Sequence, residues 1–142
     1  CSLNSVYLTS RVCGDHARSR RPDLVIGALQ TPAACVRPIL IAEIKAFQRW
    51  GMSDQQMRRR LEGILTEDIP SLSQMAAALD RGRIEILADF ARTTRGDGYM
   101  GGIYQGERRI DTVASACQSV GAALVWVHQT GSGISADWVL EP

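Results

Sequence analysis

Asp23, Glu43 and Lys45 are the residues whose types and spacing suit chemistry in this sequence. Glu43 and Lys45 stand two positions apart at the end of the apolar run Ile39-Leu40-Ile41-Ala42. Residues two apart on a strand share a face. An acid and an amine would therefore project together, with Ile44 pointing the opposite way, into the core. Asp23 opens an earlier apolar run, Leu24 to Gln30, and comes near Glu43 if the two runs pair. Two carboxylates and one ammonium in water-poor surroundings are costly unless something binds them. A divalent cation compensates the two acids, and hard oxygen ligands suit Mg²⁺ or Mn²⁺. The ammonium can orient or deprotonate an attacking water and offset charge on a phosphoryl transition state.

Composition sharpens this. Fifteen of the sixteen basic residues are Arg, and Lys45 is the one Lys. Arg is a permanently charged fork, whereas Lys is a compact point charge whose pKa responds to burial. A lone Lys beside a carboxylate on an apolar run therefore points to chemistry rather than solubility. The chain has 142 residues, 45% of them apolar and 22% charged, which are values of one globular domain over 1–142. The net charge of +1 neither demands nor excludes nucleic acid. No apolar stretch is long enough to span a membrane. Cys1, Cys13, Cys35 and Cys117 form no CxxC pair, and the reading is one or two buried thiols. A start at Cys1 without Met reads as an excised C-terminal fragment of a larger protein.

The elements that must position these groups follow from periodicity and caps. Residues 1–21 read as a strand or short helix followed by the basic loop Arg18-Ser19-Arg20-Arg21. Residues 23–30 and 39–47 read as strands, able to form a hairpin. Ser53-Asp54-Gln55-Gln56 is a capping box opening a helix to about residue 65. Pro70 opens another helix with Leu72, Met75, Ala76 and Leu79 inward, and Gly82 is its stop. Residues 84–91 suit a strand or a helix, and helix is the reading taken. Residues 95–106 hold five glycines and read as a loop or loose hairpin, with Tyr99 or Tyr104 free to stack a base. Residues 110–120 form a helix closed by Gly121, and 122–128 and 134–140 are strands. Trp50, Trp126 and Trp138 are assigned to the core, and His128 to a structural role.

Pro22-Asp23 followed by Glu43-Ile44-Lys45 resembles the PD-(D/E)XK nuclease superfamily, which includes restriction, repair and toxin nucleases. The resemblance implies an α/β fold, restriction-endonuclease-like, with a central mixed β-sheet flanked by α-helices. It implies Mg²⁺-dependent hydrolysis of phosphodiester bonds in DNA or RNA, including tRNA. Asp23 and Glu43 become metal ligands, joined by the backbone carbonyl of Ile44, and Lys45 lies near the nucleophilic water. Many members carry a Gln on the following helix. Gln55 is the candidate, because Gln56 is already used by the capping box and Gln48 is a lesser choice. Arg20, Arg21, Arg58 and Arg59 are candidates for phosphate contact, since Arg forks onto phosphate oxygens.

The sequence departs from the family in lacking a Glu upstream of Asp23, where Asp15 is the one acid. That leaves a second metal open. A small module of this kind resembles the C-terminal toxin domain of a secreted bacterial contact-dependent inhibition protein, acting in a target-cell cytoplasm and carrying a cognate immunity protein. A cytoplasmic restriction or repair endonuclease is the alternative within the class. A non-catalytic nucleic-acid- or protein-binding module on the same fold is the alternative from another class.

Overall fold

A computed structural model describes residues 5–8, 12, 21–31, 34–48, 51–75, 82–91 and 98–141. Its frame is a six-stranded mixed sheet in the order β1-β2-β3-β4-β7-β8. β1 (Ser5–Leu8), β2 (Leu24–Gln30) and β3 (Cys35–Gln48) pair antiparallel. β3, β4 (Arg83–Phe90) and β7 (Ala123–Thr130) run parallel, and β8 (Gly133–Leu140) returns antiparallel on β7. β5 (Ile103–Tyr104) and β6 (Glu107–Arg108) form a separate small hairpin, turned by Gln105 and Gly106, both at positive φ. The fold is thus mixed α/β, as the sequence indicates.

Parallel neighbours require crossovers, and these carry the helices. Between β3 and β4 run α1 (Asp54–Gly63), a π-helical turn (Ile64–Asp68) and α2 (Ile69–Met75). Between β4 and β7 runs α3 (Arg109–Ser119). α3 touches the π turn, so both crossovers cover the same face of the sheet. Against that face lies the main core, which joins Ile41 and Phe47 of β3, Leu87 of β4 and Leu124 and Trp126 of β7 to Leu61, Ile64, Leu72, Met75, Ile110 and Val113 of the helices.

The alternate residues Ala42, Ile84 and Ala123 form a small second cluster on the other face, with Leu24, Leu40, Ile86 and Val125 only half-buried. Ile44 belongs to this side and is 39% exposed. The expectation that Ile44 points into the core is therefore corrected. Glu43 and Lys45 share the parity of Ile41 and Phe47, and it is they that face the helices. Trp126 is buried, but Trp138 is 52% exposed and leaves the core assigned to it.

Three other expectations shift. Most of residues 84–91 belongs to the parallel strand β4, because Ile84 and Ile86 serve one face while Leu87, and Ala91 just beyond the strand, serve the other. A strand that is apolar on both faces shows no clean alternation. The two helices expected to be separate run on through the π turn, where the Ile69 N–H reaches back to the Ile64 carbonyl. Pro70 lacks an N–H, and its ring crowds the carbonyl four residues back, so a widened turn just before it is a physical accommodation. Cys117 is the buried free thiol, whereas Cys35 is disulfide-bonded, a pairing that spacing along the chain did not reveal. Burial pushes the Cys117 thiol up to about 12, which leaves it unreactive at neutral pH.

β2 and β3 slip register between Ile26 and Gly27, with Gly27 opposite Pro38. Pro within a strand is accommodated at such bulges. A Cβ at Gly27 would lie 2.1 Å from the Arg37 carbonyl oxygen, which is backbone and cannot step aside. Gly27→Ala should therefore lower Tm by roughly 5 °C or more, measured by circular dichroism. An unchanged Tm would show that the register slip is not as described.

Candidate active site

β2 begins at Leu24, paired with Ala42, so beyond Ala42 the β2-side edge of β3 has no strand partner. Side chains take over that edge. Asp23 Oδ2 accepts the Ile44 N–H at 2.8 Å, and Arg60 Nη1 donates to the Ala46 carbonyl. A strand residue turns its N–H and C=O to one edge, so the Ile44 carbonyl also projects on the Asp23 side. Asp23 thus stands where the antiparallel ladder ends, beside Glu43 and Lys45.

The ammonium of Lys45 lies among acids. Nζ is 3.4 Å from Asp68 Oδ2, 3.6 Å from Glu43 Oε2 and 4.0 Å from Asp23 Oδ2. Asp23, Glu43 and Lys45 are therefore brought together as the sequence suggested, and Asp68, from the end of the π turn, joins them. A further acid stands on β4. Glu85 is level with Glu43 across the parallel pairing, on the same face, and completely buried. Neither of its carboxylate oxygens has a hydrogen-bond partner.

Four acids against one amine leave their mark on protonation. Burial, then the nearby charge of Asp23, raises Glu43 to about 7, against the pull of Lys45. Burial pulls the Lys45 amine down, but Asp68, Glu43 and Asp23 outweigh it, and its pKa ends above the ordinary lysine value. Glu85 is driven well above the usual carboxylate range, mainly by burial and then by the negative charge of Asp68 and Glu43.

The donor set decides whether a divalent cation fits. It consists of oxygen atoms only, and Asp23 stands close enough to disfavour charge on Glu43. Among the described residues no group of three or more His, Cys, Asp or Glu side chains is arranged to hold a metal ion. Mg²⁺ does not need such a cage, because it commonly binds through one or two carboxylates and keeps several waters. The pair Asp23 and Glu43, with the Ile44 carbonyl beside it, fits that open kind of site.

The remaining candidates lie elsewhere. Gln55 is exposed on the first turn of α1 and precedes Asp68 by between three and four turns, roughly 20 Å of axial rise. The structure does not bring it to the acids, and Asp68 is the helical side chain that arrives instead. Gln56 closes the capping box with Ser53. Arg21 is exposed two residues before Asp23, and Arg20 lies outside the described residues, as do Asp15 and Trp50. Arg58 pairs with Glu62 at 3.1 Å. Arg59 lines an open cleft of about 440 Å³ with Gly51, Met52, Gln56 and Arg60. The cleft excludes the acids and meets the site's strand through the Arg60 bond to Ala46.

Tyr99 is not free to stack a base. It is buried, its ring is 5.1 Å from Phe47, and the Arg109 guanidinium lies 3.9 Å from its centroid. Asp89 fixes this segment by accepting the backbone N–H groups of Tyr99 at 2.9 Å and Met100 at 2.7 Å. His128 pairs with Asp137 at 2.6 Å and stacks on Trp126, in keeping with a structural role.

No family model matches the chain, and no curated protein matches it. Among solved structures it is similar to Pyrococcus furiosus SfsA in complex with Ca²⁺, at 13% identity and TM-score 0.32. The likeness covers 95% of this chain and 52% of that one, so this chain spans about half the length of that protein. At that score the likeness carries no argument about fold or function.

Glu85 yields a test of the cluster's cost. A carboxyl whose folded pKa is raised makes stability greatest below its unfolded value, near 4.5, and loses it as pH rises toward the folded value. Glu85→Met should therefore raise Tm at pH 8 by about 3–5 °C, corresponding to about 1 kcal/mol. The gain should shrink as pH falls to 4.5. An equal gain at both pH values would show that charge at Glu85 is not what costs stability.

Proposed function

We propose that this chain is a divalent-metal-dependent nuclease that hydrolyses phosphodiester bonds. The observation that carries the reading is the meeting of Asp23, Glu43 and the lone lysine at the place where β2 leaves β3. Asp23 and Glu43 are the residues that would hold Mg²⁺ or Mn²⁺, with the Ile44 carbonyl as a further oxygen. A cation there supplies Lewis-acid polarisation of the phosphoryl group and lowers the pKa of a bound water.

The chain's own groups do the rest. Asp23 is oriented by the Ile44 N–H, which holds its carboxylate beside Glu43. Lys45 keeps its proton at neutral pH, held by three acids, which favours orienting a water and offsetting phosphoryl charge over taking up a proton. Arg21 stands next to Asp23 and Arg59 in the neighbouring cleft, where both are exposed and suited to backbone phosphates. The same acids serve DNA or RNA, because both present the same phosphodiester.

Incubation with plasmid and with total RNA tests this reading. Cleavage should require Mg²⁺ or Mn²⁺, stop with chelator, and fall on the order of a thousandfold in Lys45→Ala and in Asp23→Asn. Cleavage that survives either variant or ignores chelator would refute the mechanism. No cleavage of either polymer would favour a non-catalytic binding module.

In its toxin form the reading adds delivery to a target-cell cytoplasm and a cognate immunity protein as partner. Growth arrest on cytoplasmic expression in bacteria, absent with Lys45→Ala, is the outcome that form requires.

A further inference from the structure

Asp68 is the acid nearest to the Lys45 ammonium, and it comes from a different element than the other two. Its placement has a visible cause. It closes the π turn, with the buried Ile64 and Ile69 on either side of it in the chain. The widened turn lets Asp68 and its neighbour Ile69 both face the sheet, Asp68 toward Lys45 and Ile69 into the core. Asp68 is itself mostly buried, its side chain 17% exposed. An acid so placed on a helix is costly unless it is paired, and a partner it meets is the one lysine of the chain.

The three acids around Lys45 are not equivalent. Asp23 and Glu43 are the pair suited to a divalent cation. Once their charge is turned to such a cation, they no longer hold the ammonium, and the cation repels it. Asp68 lies outside that pair and remains as its counter-charge.

We propose that Asp68 is the positioning residue of Lys45, the anchor that keeps the ammonium at the site when Asp23 and Glu43 are engaged by a cation. The proposal rests on the cation-binding part of the nuclease reading, and its first test does not depend on cleavage. Asp68 acts through Lys45, and it takes the helical place that Gln55 does not fill.

The single lysine makes the test direct. Lysine labelled with ¹⁵N at Nζ and ¹³C at Cε gives one side-chain resonance from the whole 142-residue chain. In the unaltered protein that resonance should be shifted from the free-lysine position, and should remain shifted when MgCl₂ is added. In Asp68→Asn, which keeps the shape, it should collapse to the free-lysine position on adding MgCl₂, and Asp68→Glu should restore it. Asp68→Ser serves as a second variant if the amide does not fold. A resonance in the Asn or Ser variant that matches the unaltered protein with and without MgCl₂ would overturn the proposal.

Kinetics give the second readout. Asp68→Asn should lower kcat by about tenfold to a hundredfold with KM unchanged, with partial recovery in Asp68→Glu. Unaltered kcat in Asp68→Asn would sink the proposal and leave the nuclease reading standing. If the unaltered protein cleaves nothing, the nuclease reading fails, and the resonance alone still decides whether Asp68 holds Lys45.

Discussion

One hydrogen bond organises the site, the acceptance of the Ile44 N–H by the Asp23 carboxylate. In an antiparallel pair that amide would be taken by the neighbouring strand. β2 starts two residues too late to reach it, and Asp23 substitutes a side chain for the ladder. The consequence is positional. A carboxylate anchored to the backbone between Glu43 and Lys45 has little freedom to move away from either. β3 and the residue that leads directly into β2 thus fix the relative placement of three charged groups, and groups on or next to rigid elements are held more accurately than groups on loops.

The helices complete the enclosure from one side. Because α3 and the π turn pack on the same face of the sheet, the acids lie under cover and not on the bare face. That cover is what raises Glu43 and Glu85, since burial disfavours the charged carboxylate. Glu85, buried and without hydrogen bonds, contributes nothing to stability that a packed apolar side chain would not exceed. Its presence is understandable where a site needs negative potential, and folds commonly give up stability at such places.

The three residues at the heart of the site were legible because their signal is local. Period-two spacing and an apolar run suffice to put Glu43 and Lys45 on one face of a strand. Which face was not legible, because Ile41 and Phe47 on one side and Ala42 and Ile44 on the other are all apolar. The larger Ile44 drew the core assignment that Phe47 holds. Glu85 and Asp89 were hidden by the ambiguous period of 84–91, where a strand apolar on both faces mimics a helix. Asp68 was hidden by Pro70, read as the start of a new helix when the chain in fact continues through it. Had the helix been extended, Asp68 would have stood out as an acid in register with Leu61, Ile64 and Leu72. Gln55 shows the converse error, a helix N-terminus taken to lie at the site when the helix runs roughly 20 Å before reaching it.

The segregation of β3 into a charged side beneath the helices and an apolar side opposite makes the strand sensitive to its length. Gain of one residue between Ala42 and Glu43 would rotate both charges to the outside and put their neighbours beneath the helices. Exchange of one aliphatic for another at Ala42, Ile44 or Ala46 leaves that ordering intact. Such a strand tolerates a change of side chain at its half-exposed outward residue Ile44 far better than an insertion or deletion within it.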